Sequence, residues 1–220
     1  MDKINNIYIM GGGFKTLKYF GAVRYLFNNN LIHPETNIYC SSAGVLTGIG
    51  IILYQLDKAK FEYYVSSLKS ITHDLRKNKC KIFGCSDSHF VPLLESIIDD
   101  IEPYINKLFI SITIFDPFPR NIFVSDFCCK IDLIHAIKTT MHIPYFFNVS
   151  LFHKFRNFRF CMDGGITDNC CYLNEEQSLL IRHKTFPFYN TLYPLKETDI
   201  DSSDIESNEC IIGLNNIIKN

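Results

Sequence analysis

The sequence carries almost no net charge: 22 Lys and Arg against 23 Asp and Glu leave a formal charge of -1. That balance excludes the basic footprint of a nucleic-acid-binding domain, so no nucleic-acid partner is expected. A long apolar run is also missing. The longest, Val45 to Leu56, is interrupted by Thr47, Gly48, Gly50 and Gln55 and is too short to span a bilayer as a helix. No secretory signal is visible, because Met1-Asp2-Lys3 leads almost directly into a strand pattern; the expectation is a cytoplasmic protein. Nine cysteines include no C-x-x-C pair, so they read as small buried side chains rather than a zinc site, and the odd count leaves at least one thiol free. No internal repeat and no metal-ligand pattern is present.

What the chain does contain is a core. Hydrophobic residues make up 47% of 220, which excludes a disordered protein and suits one domain over residues 1-220. Strand and helix signals alternate, which predicts a layered α/β fold. Ile7 to Met10 reads as a buried strand, followed by a helix from about Thr16 to Phe27. Asn37 to Cys40 is a second strand running into a helix over Ala43 to Leu56, and another helix follows from Lys58 to about Leu75. Arg76 to Ser88 reads as an irregular connection ahead of a helix near Phe90 to Ile101. Leu108 to Ile114 and Asn121 to Val124 are strand candidates around Asp116-Pro117-Phe118-Pro119, and Asp132 to Thr140 is helical. Phe147 to Phe152 and Phe158 to Met162 predict a hairpin separated by residues 153-157. Ser178 to Arg182 predicts a last strand, residues 197-209 a mobile acidic loop, and the terminus a short helix.

Three short segments carry the chemistry. Gly11-Gly12-Gly13 ends the first strand, and a loop that offers consecutive N-H groups to an anion must bring bare backbone close to it. The helix that follows adds its positive N-terminal end. The dinucleotide pattern G-x-G-x-x-G starts correctly at Gly11 and Gly13 but meets Thr16 where the last glycine belongs, and no G-K-[ST] follows for a phosphate-cradling loop. Cys40-Ser41-Ser42-Ala43-Gly44 joins a strand to a helix through small residues, as a strained turn exposing a serine nucleophile requires. Registering Gly44 as the final glycine selects Ser42 over Ser41. Asp163-Gly164-Gly165 fixes a carboxylate on a tight turn, where Asp163 can act as general base; Asp168 is an alternative without the glycine pair.

These segments resemble the patatin-like phospholipase family. The strand, glycine loop and helix of Ile7 to Leu26, the serine turn, the helix Asp132 to Lys138 with Ile143-Pro144-Tyr145-Phe146-Phe147, and the aspartate turn occur in the family's order. The resemblance implies a three-layer α/β/α sandwich with a mainly parallel central sheet. It implies lipid acyl ester hydrolysis by a Ser42-Asp163 dyad, with an oxyanion hole from Gly11, Gly12, Gly13 and Ala43, and Gly44, Gly164 and Gly165 shaping the turns. No metal or organic cofactor is implied, and the partner is a lipid substrate. The chain departs from the family at Lys15 and Thr16, where arginine and glycine are common, and at Cys40, where glycine is usual; Thr16 is expected to stiffen the loop or cap the helix.

Other readings stay open at this stage. Ser42, Asp163 and His183 occur in the order of a conventional triad esterase, although His183 sits in the polar run Arg182-His183-Lys184, and His135 and His142 read as local helix or turn residues. The departures at Thr16 and Cys40 could mark a degenerate module that binds a lipid or a protein partner. Arg76, Lys77, Lys79 and Lys81 beside Ile82-Phe83 form the densest basic cluster, either a solvated loop or a peripheral contact with an anionic membrane surface.

Overall fold

The computed structural model describes residues 4-77, 84-144, 150-168, 178-182 and 211-212. The fold is a central sheet flanked by helices. Its elements are β1 (Asn6–Ile9), α1 (Tyr19–Asn28), β2 (Asn37–Ser41), α2 (Gly44–Leu56), α3 (Lys58–Lys77), α4 (Val91–Ile97), β3 (Leu108–Phe115) and β4 (Pro119–Val124). They continue with α5 (Lys130–Thr140), β5 (His153–Phe155), β6 (Phe158–Asp163), α6 (Gly165–Asp168), β7 (Ser178–Ile181) and β8 (Ile211–Ile212).

The sheet runs β5-β6-β3-β2-β1-β7-β8, with β4 also paired to β3. The four central strands β7, β1, β2 and β3 are parallel, and the margins β4, β5, β6 and β8 are antiparallel. Parallel strands buried on both faces need near-continuous apolar sequence, and β1 is buried at all four positions. Ile7, Ile9, Ile38, Cys40, Ile110, Ile112 and Ile114 turn one face toward the main core, which α1 to α5 cover. Tyr8, Tyr39 and Phe109 stack across the other face at ring separations of 4.8 and 4.5 Å. There α6 lies against β3 and β4, with Thr167 and Thr113 hydroxyls 2.8 Å apart.

Several boundaries differ from the sequence expectation. The first helix begins as a 3-10 turn, Gly13–Lys18, before α1. The Thr16 hydroxyl donates to the Gly13 carbonyl at 2.8 Å, so Thr16 tightens this turn and does not cap α1. Arg76 and Lys77 belong to the last turn of α3. The helix expected near Phe90 to Ile101 is a wide turn over Ser86–Phe90 followed by α4, which stops where Ile98 becomes extended.

The hairpin before Asp163 is also shifted. Residues 150-152 are irregular, and the strand paired with β6 is β5, closed by a turn at Arg156-Asn157. Packing decides this register: the His153 ring lies 4.8 Å from His135 of α5, and Arg156 is tied to Asp132 at 2.7 Å and Asp126 at 2.9 Å. Ile211–Ile212 pairs with β7 as a strand. The expected hairpin residues 147-149, the acidic loop 197-209, the terminal helix beyond 212, Lys79, Lys81 and His183 lie outside the described residues.

Candidate active site

The elbow follows from how β2 meets α2. Ser42 has φ +52, a left-handed conformation that residues with side chains rarely adopt, which costs of order 1-3 kcal/mol and persists only where the surroundings enforce it. Two neighbours enforce it here. The Ser42 N-H donates to the Thr140 hydroxyl at 2.9 Å, and that hydroxyl donates in turn to the Ser111 carbonyl at 2.6 Å. Gly44 then starts α2 against the end of β1: a Cβ there would sit 2.7 Å from the Ile9 and Met10 carbonyl oxygens. Only glycine permits that approach, and the approach brings the glycine loop beside the elbow. Ser41, by contrast, is a strand residue in register with Ser111.

Sheet register delivers Asp163. β3 pairs with β2 over Leu108 to Ser111 and with β6 over Ile112 to Ile114, while β4 runs along both stretches. A strand has two edges, so β6 takes over the edge of β3 that β2 vacates at the elbow. Asp163, opposite Ile112, therefore arrives next to Ser42. The turn behind it is equally close: a Cβ on Gly164 would fall on the Ser111 carbonyl. The Thr113 hydroxyl donates to the Asp163 carbonyl at 2.8 Å, and Asn121 donates to the Ser111 hydroxyl at 2.7 Å and the Gly164 carbonyl at 3.3 Å. Thr140, Thr113 and Asn121 were not singled out from sequence, since a threonine closing a helix or a polar residue on a strand carries no distinctive signal.

The Ser42 hydroxyl donates to one carboxylate oxygen of Asp163 at 2.5 Å, and the Gly165 N-H donates to the other at 2.8 Å. Both groups are nearly enclosed, Ser42 8% and Asp163 4% exposed. Burial pushes the Asp163 carboxyl up from 3.8 to about 7, against the lowering effect of its two hydrogen bonds. A carboxylate poised near neutrality beside a serine hydroxyl has the properties of a general base. Asp168 ends α6 and donates its N-H to the Gly164 carbonyl.

The glycine loop holds Gly13 at φ +55 and Gly12 extended. Among the described residues the N-H groups of Gly12, Gly13 and Ala43 have no acceptor, as expected of donors at the start of helical turns. Gly13, Ala43, Leu46, Thr72, Phe90 and Met141 line a recess of about 10 Å³ between loop and elbow, room for a single water. The unusual Cys40 is accommodated by Gly48, where a Cβ would lie 2.5 Å from its sulfur. Buried Cys85 and Cys161 thiols are pushed up to about 12 and about 11, so neither is a nucleophile near neutral pH.

Ser42, on a strained strand-to-helix turn, is thus hydrogen-bonded to the buried carboxylate of Asp163 on an α/β sheet. The family model for patatin-like phospholipase matches residues 8–173, and the chain belongs to that family. It is similar to the human protein 1-acylglycerol-3-phosphate O-acyltransferase PNPLA3, 24% identical over 81% of this chain and 36% of the human one. The chain thus spans about a third of that relative's length. Among the described residues no helix is long and apolar enough to cross a membrane.

Proposed function

We propose that this chain is a serine lipid acyl hydrolase acting on carboxylic esters of phospholipids or related lipids. The observation that carries the proposal is the direct Ser42 to Asp163 hydrogen bond inside a closed site. Ser42 Oγ attacks the acyl carbonyl carbon while its proton passes to Asp163. The carbonyl oxygen becomes an oxyanion held by the N-H groups of Gly12, Gly13 and Ala43, with Gly11 shaping the loop. Asp163 returns the proton to the departing alkoxide, leaving an acyl-serine. It then takes a proton from water as hydroxide adds, and the carboxylic acid leaves as Ser42 recovers its hydrogen. Loss of one oxyanion donor costs about 2.7-4 kcal/mol in comparable sites.

The triad reading is weaker. In a triad the carboxylate binds histidine and the histidine binds serine, whereas both Asp163 oxygens are taken by Ser42 and Gly165. A second reading, transfer of the acyl group to a hydroxyl instead of water, is favoured by the acyltransferase name of the human relative. Arg76 and Lys77 sit little more than one turn beyond Thr72, which lines the recess, and the sequence cluster Arg76, Lys77, Lys79 and Lys81 is proposed as a contact with an anionic membrane surface.

A fluorophosphonate probe tests the nucleophile: wild type and Ser41→Ala should be labelled, Ser42→Ala should not. A lipid digest compared between wild type and Ser42→Ala then separates free fatty acid from acylated acceptor. Labelling of Ser42→Ala at the wild-type rate would sink the proposal, and loss of turnover in a folded His183→Ala would restore the triad.

A further inference from the structure

The two hairpins at the β3 end of the sheet form an open groove of about 620 Å³ lined by Phe115, Pro117, Phe152, Phe158, Arg159 and Phe160. The Phe152 ring bridges them, 5.5 Å from Phe115 and 5.2 Å from Phe160, both edge to face. Phe118, at the tip between Pro117 and Pro119, is 77% exposed, and Phe160 is 50% exposed. Large aromatic side chains left this open on a soluble surface mark an interaction site. Arg159 lines the groove itself, and Arg120 and Lys154 lie two residues along the chain from Phe118 and Phe152; all three are exposed and without an ion pair among the described residues. Asp116 is the acidic residue of the two tips.

We infer that this surface docks the protein onto an anionic phospholipid surface, with Phe118 and Phe160 entering the interfacial region and Arg120, Lys154 and Arg159 contacting head groups. The choice of occupant rests on the lipid hydrolase reading and on charge. Three cations against one carboxylate repel a second copy of themselves but complement anionic lipid. The position fits as well. β3 runs parallel to β1 and β2, so the β3-β4 tip leaves the same edge of the sheet as the glycine loop and Ser42. Docking there would bring the lipid surface to the catalytic edge.

The test is flotation of the full chain with vesicles of phosphatidylcholine alone and of phosphatidylcholine with phosphatidylserine, at low and high salt. Arg120→Gln with Arg159→Gln should lower partitioning onto the anionic vesicles about fivefold per charge, on the order of 25-fold for the pair, and weaken its salt dependence. Phe118→Ser with Phe160→Ser should lower it about tenfold or more on both vesicle types. Hydrolysis of a soluble short-chain ester, which does not need the surface, should be unchanged in both variants and certifies their folding. Wild-type vesicle binding by both variants overturns the inference, as does a dimeric wild type that the Phe pair makes monomeric while vesicle binding persists. Variant-sensitive vesicle binding without ester turnover in the wild type would keep the docking surface and remove the hydrolase reading.

Discussion

The titration of Asp163 makes a quantitative claim about folding. In the unfolded chain this carboxyl titrates near 3.8, and in the fold near about 7, because burial outweighs its two hydrogen bonds. Between those values the folded state binds a proton that the unfolded state has released, so stability falls as pH rises. The contribution is fully present below the unfolded value and gone above the folded one. About three pH units at ~1.4 kcal/mol each amount to ~4 kcal/mol, the order of magnitude by which ionising Asp163 opposes folding. Asp163→Asn removes the charge and keeps the shape. Its amide oxygen still accepts the Gly165 N-H, and its NH2 can donate to Ser42 Oγ.

Urea unfolding of wild type and Asp163→Asn, followed from about pH 4 to about pH 9, isolates this group, since every other titration is common to both proteins. The variant should gain on the wild type as pH rises from about 4 to about 7 and hold a constant advantage of ~4 kcal/mol above that. Its ester turnover should nonetheless fall about 10²- to 10⁴-fold with the loss of the base. Wild-type kcat/KM should rise with pH along a single-proton limb near about 7. Stability curves that stay parallel across the range would refute the reasoning: they would mean that Asp163 titrates in the fold as it does in the unfolded chain.

Two further perturbations test how the site is held. Thr140→Val takes away the acceptor of the Ser42 N-H and the donor to the Ser111 carbonyl; it should cost about 1-3 kcal/mol in urea unfolding and lower kcat, with Thr140→Ser restoring both. Gly48→Ala should destabilise the protein, because the new Cβ meets the Cys40 sulfur at 2.5 Å. The same change in a Cys40→Gly background should cost less, by about 1 kcal/mol or more in a double-mutant cycle, with contacts to Leu108 and Ile38 retaining the remainder. Additive effects would show that Cys40 and Gly48 do not share that space.

The parts of the site that could be read from sequence are those whose demands are local. Gly13 needs a positive φ, Gly44 and Gly164 need a missing Cβ, and a serine and an aspartate placed on such turns announce themselves. What could not be read depends on partners distant in the chain. Thr140 matters because Ser42, 98 positions away, turns its N-H toward it. The hairpin register was misjudged because aromatic residues recur through 152-160, and contacts with α5 choose among the pairings. Cys40 looked like a defect in the elbow motif, whereas Gly48 across the strand-helix interface makes room for it. Ile211–Ile212 is too short to signal a strand and becomes one by pairing with β7.

The geometry of the proposed dyad follows from one strand. β3 hands its edge from β2 to β6 between Ser111 and Ile112, so nucleophile and base are positioned by consecutive residues of a common partner. Three constraints converge on Ser111: its carbonyl accepts the Thr140 hydroxyl, the Gly164 backbone packs against that carbonyl, and its own hydroxyl accepts from Asn121. A slip of β6 by two residues would keep its faces correct yet carry Asp163 roughly 7 Å from Ser42. Three contacts oppose such a slip: the close approach of Gly164, the Asp163 N-H on the His142 carbonyl at 3.1 Å, and the Thr113 hydroxyl on the Asp163 carbonyl. The distance between serine and carboxylate is therefore a property of sheet register, which explains how two side chains 121 positions apart meet at 2.5 Å with no third residue between them.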